Sequence, residues 1–300
     1  MFRSLLVSVD LSPASDRVIA RVSNLPLAQG ARLTLLHVVA KSLPPPAQRS
    51  AEADARKALA VEATGLARNL PKGVKLETIV KVGTPSAEIA KCATTTRAEL
   101  VVMGRGGARA LRDIFLGSTA ERVIRRGKVP ILAVRLPARG PYRRPAVALE
   151  LDQASERVLD LLYQVVPSPR PSVEVIHACD AHYQMASYPS VSEDETDEYR
   201  EHYRGKALRE IGKRLGASIA RAKIATVDAP SWKTSVRYGS ARSVIREAVK
   251  KSEIDLLVLG TRGHRGVAHA FLGTVAGDVL REVACDVLVV PPRGVPAEAS

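Results

Sequence analysis

Short apolar or β-branched runs near Leu5–Val9, Leu33–Val39, Val74–Val82, Leu100–Met103 and Ile131–Val134 alternate with stretches of helical period near 15–28, 51–69, 85–97 and 117–127. Runs of this length read as buried strands, and the 3.6-residue period between them reads as amphipathic helix. The helix at 85–97 follows "GTP", which puts Pro85 at a first helical position, where its missing N–H costs nothing. Strand alternating with helix predicts right-handed crossovers and a parallel sheet covered on both faces.

The same pattern occurs twice. Residues 83–134 and 239–290 align without a gap at an offset of 156, and Gly104, Gly107, Phe115, Gly117 and Arg125 recur as Gly260, Gly263, Phe271, Gly273 and Arg281. Near each start the offset is 140: "ASDRV" at 14–18 matches "ASERV" at 154–158, and His37 matches His177. The second copy therefore carries sixteen extra residues, most of them in "DAHYQMASYPSVSEDETDEYREHYRG" at 180–205. That segment reads either as a solvated loop or as a lid or partner surface, with Ser192 capping a helix start. Its counterpart at 41–53 is stiffened by three consecutive prolines. A Pro-, Gly- and Arg-rich linker at 135–145 divides the chain near residue 140, which gives domains of 1–138 and 144–293.

Composition narrows the class. Of 300 residues, 46% are hydrophobic and 25% charged, as in a chain that buries a real core. Nothing is long and apolar enough to span a bilayer, and "MFRSLLVSVDLS" reads as a first strand rather than a signal peptide. Cys92, Cys179 and Cys285 are scattered and never spaced C-x-x-C, so a reducing, cytoplasmic setting is expected, with no disulfide or zinc framework. The net charge of +14 fits a nucleic-acid surface, a phosphate-bearing ligand or solubility alone, and the sparse aromatics, which do not interleave with the basic residues, argue against a nucleic-acid partner.

The candidate chemistry lies in a repeated G-x2-G-x9-G-[ST] pattern: Gly104, Gly107, Gly117 and Ser118, then Gly260, Gly263, Gly273 and Thr274. It begins where the fourth strand ends, the edge at which open α/β sheets bind ligands. It ends at a helix start, where Ser118 or Thr274 can cap and where free N–H groups and the helix dipole attract an anion. Arg105, Arg109 and Arg112, or Arg262 and Arg265, add positive charge. The pattern is neither a dinucleotide fingerprint nor a Walker loop. Two readings stay open: a phosphate cradle, or turn glycines followed by a helix cap.

A tandem α/β pair with this motif, together with "VSVDLSPASDRVI", "LTLLHVV" and "VPILAVR", resembles a double-domain universal stress protein over nearly the whole chain. The resemblance implies two adenine-nucleotide-hydrolase-like domains, each a doubly wound five-stranded parallel sheet, paired as an intramolecular pseudo-dimer through fifth strands at 130–135 and 286–290. It implies an adenine nucleotide as ligand, ATP with or without Mg2+, since many members bind ATP while others do not. Residues matching Asp10 and Val38 would then sit at the sugar and base. Gly104, Arg105, Gly107, Gly117, Ser118 and Thr119 would hold the phosphates, as would Gly260, Gly263, Gly273 and Thr274 in the second copy. The second copy departs from the pattern where Asp10 becomes Glu150, Val38 becomes Ala178 and Thr119 becomes Val275.

His37 and His177 read as hydrogen-bonded core residues. His264 and His269 are off the i,i+4 spacing of paired helical ligands, so no metal is assigned, and the cysteines read as packing. No nucleophile–base arrangement is inferred, and regulation rather than turnover is expected. The alternatives are an ATP-independent interaction scaffold with an unknown protein partner, and a slow ATPase.

Overall fold

The computed structural model describes residues 1–104, 118–126, 128–152, 155–179, 193–261 and 273–292. The first copy runs β1 (Phe2–Ser8), α1 (Ser15–Val22), β2 (Leu27–Ala40), α2 (Pro45–Ala67), β3 (Lys75–Gly83), α3 (Pro85–Thr95), β4 (Leu100–Gly104), α4 (Ser118–Arg125) and β5 (Ile131–Val134). The second runs β6 (Pro145–Ala148), α5 (Ser155–Val165), β7 (Val173–Cys179), α6 (Glu193–Arg221), β8 (Trp232–Tyr238), α7 (Ala241–Lys251), β9 (Leu256–Gly260), α8 (Thr274–Glu282) and β10 (Asp286–Val290).

All ten strands join one sheet in the order β3-β2-β1-β4-β5-β10-β9-β6-β7-β8. Neighbours are parallel within each half, and β5 meets β10 antiparallel, with Leu132 opposite Leu288. Those two leucines are repeat counterparts, so an approximate twofold axis passes between them. The fifth strands thus meet as the resemblance implies, and pairing satisfies backbone groups that a bare edge would expose.

Strand side chains alternate between faces, which creates two cores. One holds Leu5, Val7, Leu33 and Leu35 under α1 and α2, continuing to Val173, Val175 and Ile211 under α5 and α6. The other holds Leu6, Leu36, Val101 and Ile89 under α3 and α4, continuing to Leu257, Val287 and Leu280 under α7 and α8.

Several boundaries differ from the sequence expectation. The helix expected at 15–28 stops at Val22, because Pro26 breaks it and Leu27 already pairs with Phe2 in the sheet. The helix expected from 51 begins at Pro45, since Pro45 and Pro46 occupy the first two helical positions, which need no N–H; the prolines start a helix rather than stiffen a coil. Pro85 opens α3 as expected. Both α3 and α7 end at a left-handed residue, Arg97 (φ 50) and Glu253 (φ 47), which are repeat counterparts. There the chain turns back, with Ala98 N–H bonding Ala93 O at 2.9 Å and Ile254 N–H bonding Val249 O at 3.1 Å. In the second copy's extra segment a helix begins at Glu193, where the sequence places a helix start, while 180–192, including Ser192, lie outside the described residues.

A buried polar cluster fastens the halves. The fully buried Asp286, at the start of β10, accepts from Arg135 N–H (2.7 Å) and Leu136 N–H (2.8 Å) through Oδ1. Its Oδ2 accepts from Tyr142 OH (2.8 Å) and from Arg21 Nε (3.1 Å), on α1 of the first half. Arg21 also donates to Gly140 O at 2.9 Å and lies 3.9 Å over the Tyr142 ring. Burial, with Asp286 alongside, pushes the Tyr142 phenol well above its ordinary range.

Candidate functional site

In the first half β1 connects to β2 on one side, while β3 crosses back to β4 on the other. The crevice outside the carboxyl ends of β1 and β4 is therefore the topological switch point. A cleft opens there, with its mouth open to solvent. Ser8, Val9 and Asp10 form its floor, His37 and Val38 come from β2, and Met103 and Gly104 come from β4. Ala14, Ser15 and Val18 of α1, Pro85 and Ile89 of α3, and Thr119 of α4 complete the wall.

Asp10 leaves β1 into a tight turn, with Leu11 in the left-handed region at φ 56. Its Oδ1 accepts from Ser12 N–H (3.2 Å), Ser12 Oγ (2.6 Å) and Ser15 Oγ (2.9 Å). This is the side-chain-to-backbone closure that Asp makes in turns, and it ties the strand end to the start of α1. A strained non-glycine conformation beside a cleft is sustained only where surrounding bonds over-determine it, as these do.

His37 donates from Nδ1 to Val9 O at 2.9 Å, because a carbonyl can only accept. His177 repeats the contact with Leu149 O at 2.8 Å. The hydrogen-bonded role expected of both holds, but His37 also faces the cleft, which its sequence position did not reveal. A signal was present: it stands beside Val38 at the carboxyl end of the second strand.

Gly104 has a packing reason of its own. A Cβ there would stand 3.2 Å from Val18 Cγ2, so its absence lets α1 sit close over β4. At Gly260 the corresponding distance, to Val158, is a relaxed 3.7 Å.

Of the expected site residues, the fold brings Asp10, Val38, Gly104 and Thr119 into one cleft. Ser118 opens α4, with only its backbone described. Arg105, Gly107, Gly117 and Gly263 lie outside the described residues. Gly260 ends β9, and Gly273 N–H bonds Thr261 O at 2.9 Å, closing the base of the second glycine segment. Thr274 does not cap α8: the cap position belongs to Gly273, with no side-chain bond, because the helix begins at Thr274 itself, one residue earlier than a Thr cap requires.

The loop after β6 is held differently from that after β1. Arg214 on α6 donates to Leu151 O (3.1 Å), Asp152 O (2.5 Å) and Ser155 Oγ (3.0 Å), so a guanidinium fixes what Asp10 fixes in the first copy. Burial raises the thiols of Cys92, Cys179 and Cys285, the last to about 12, which leaves them as packing groups. Among the described residues no cluster of three His, Cys, Asp or Glu side chains is placed to hold a metal, and no helix is long and apolar enough to cross a membrane.

Comparison with known proteins gives the relationship. The model of the universal stress protein family matches twice, over residues 1–135 and 141–291. Universal stress protein MJ0531 of Methanocaldococcus jannaschii is 45% identical over 65 residues, covering 22% of this chain and 38% of that protein. Universal stress protein A homolog 1 of Coxiella burnetii is 30% identical over 155 residues, covering 50% of this chain and 96% of that protein. The crystal structure of a universal stress protein from Archaeoglobus fulgidus is similar over 97% of this chain and 99% of its own, with a TM-score of 0.71 at 20% identity. The repeat, the α/β sheet and the doubled family match agree: the chain belongs to the universal stress protein family, in two tandem copies.

Proposed function

We propose that the chain is a stress-response regulator whose first domain binds an adenine nucleotide, ATP, in the cleft beside Asp10. One observation carries this reading: Asp10, Val38, Gly104 and Thr119, scattered through the sequence, border a single cleft at the switch point. Val9, Val38, Ile89 and Met103 offer an apolar wall for a base, and Asp10, Ser15 and His37 offer polar groups for a sugar. The phosphates would run toward α4, whose N-terminus favours negative charge, and Mg2+ would ride on the phosphates themselves.

Magnitudes limit what each part contributes. A helix terminus gives an anion about 0.3–2 kcal/mol, whereas micromolar affinity needs about 8 kcal/mol. Burial of the base and charge-assisted hydrogen bonds must supply the rest. In the second domain, Glu150 and Ala178 replace Asp10 and Val38. Losing a sugar hydrogen bond and some apolar burial costs about 1–3 kcal/mol, roughly a tenfold to hundredfold weaker site.

Native mass spectrometry of gently purified protein, followed by calorimetry with ATP, tests the reading. Gly107→Val should abolish tight binding by excluding phosphate from the first loop, and Gly263→Val should remove at most a weaker phase. If Gly263→Val is the more damaging, the working site is in the second copy. If ATP binds neither wild type nor variant at millimolar concentration, the chain is a nucleotide-independent scaffold instead.

A further inference from the structure

Helix α1 has two ends with different duties. Its first turn, Ser15 and Val18, borders the cleft. Arg17 and Arg21, on the same helix, reach the domain boundary: Arg17 donates to Arg135 O, just past β5 of its own domain, at 2.9 Å, and Arg21 crosses to pair with Asp286 at 3.1 Å. Ser15 and Arg21 are six residues apart, about 9 Å along a helix, so a displacement at the cleft is felt directly at the domain boundary.

Arg135 gathers three ties at that boundary. Its carbonyl is held by α1, and its N–H is held by Asp286 of β10. Its guanidinium donates to Leu280 O and Val283 O, the last carbonyls of α8. A cation at that end also complements the helix dipole. The other end of α8 is Thr274, next to the glycine whose N–H closes the second glycine segment. A second bridge runs parallel: α4, which contributes Thr119 to the cleft, carries Glu121, 3.5 Å from Arg281 of α8. Half-exposed pairs of this kind are weak singly, so the buried route through Arg135 dominates.

We infer that occupancy of the first-domain cleft is transmitted through α1 and Arg135 to α8 of the second domain. This rests on the nucleotide reading above, and linkage makes the coupling reciprocal. Nucleotide bound in the first domain stiffens α8, and a ligand at the second domain tightens the first site.

Hydrogen exchange resolved by mass spectrometry tests it, on full-length wild type, Asp286→Asn and Arg17→Met, each with and without ATP and Mg2+. In wild type, ATP should slow exchange across 274–283 by about fivefold, the low end of typical allosteric coupling. The outer strand 232–238 should change little. Both variants should still bind ATP by native mass spectrometry and lose most of the α8 response. Arg17 is exposed and outside the cleft, so its variant folds even if Asp286→Asn does not. The inference is overturned if ATP binds wild type without slowing α8, if α8 and strand 232–238 slow equally, or if Arg17→Met keeps the full response. Absence of any ATP binding overturns the nucleotide reading itself, a result distinct from binding without transmission.

Discussion

Replacing Arg21 with Met isolates the contribution of the buried ion pair that fastens the two halves. Three interactions disappear together: the 3.1 Å contact with Asp286, the 2.9 Å bond to Gly140 O and the guanidinium stacked 3.9 Å over Tyr142. Breaking a buried pair by removing one partner costs about 3–5 kcal/mol. Asp286 keeps two backbone N–H donors and the Tyr142 hydroxyl, so the low end applies, about 3 kcal/mol. For a chain of this size that corresponds to a fall in Tm of about 6 °C. Asp286→Asn should cost a similar amount by leaving the Arg21 cation buried without its anion. The double variant buries neither charge, and Asn still accepts the two N–H bonds. Its loss should be no greater than that of either single change, instead of their sum of about 6 kcal/mol. Differential scanning calorimetry and urea midpoints at neutral pH measure all three. A Tm drop below 1 °C for Arg21→Met, or strict additivity in the double variant, would refute the claim that this pair fastens the interface.

Gly104→Ala should destabilise by about 1 kcal/mol more than Gly260→Ala, since the new Cβ meets Val18 at 3.2 Å in one case and Val158 at 3.7 Å in the other; equal urea midpoints would refute the packing role. Stability should also fall in alkali. Cys285 is raised from 9.0 to about 12 by burial, so its contribution is complete below pH 9 and drains away as pH rises toward 12, by up to about 4 kcal/mol. The raised Tyr142 acts in the same direction above pH 10, so thermal midpoints should drop between pH 9 and 11, and Tyr142→Phe should flatten the upper part of that fall.

The duplication and the alternation of strand with helix were legible in the sequence, because each leaves a periodic or repeated trace; the meeting of the fifth strands was implied by the family resemblance. That Asp10, Val38, Gly104 and Thr119 border one cleft was legible through the family motif, since loops at the carboxyl edge of a parallel sheet converge. Helix ends were not. Pro45 and Pro46 look like breakers until their position at a helix start is known. The domain lock was least legible. Arg21 and Asp286 are 265 residues apart, and their repeat counterparts are Leu161 and Pro130, so the internal alignment points away from them. The available hint was local: Arg21 shares the inward face of its helix with Val18 and Val22, an expensive place for a charge without a partner.

The approximate twofold between Leu132 and Leu288 has a further consequence. Two identical subunits would make every contact across such an axis twice, so a carboxylate at one strand start would bring a second beside its mirror image. Here the mirror of Asp286 opposite Arg135 is Pro130 opposite Pro291, two residues with neither carboxylate nor N–H to exchange. Covalent fusion therefore lets the interface be lopsided: one side carries the polar lock and the other carries none. Separated halves would accordingly favour mixed pairs over like pairs, because only a first half facing a second half can form the lock.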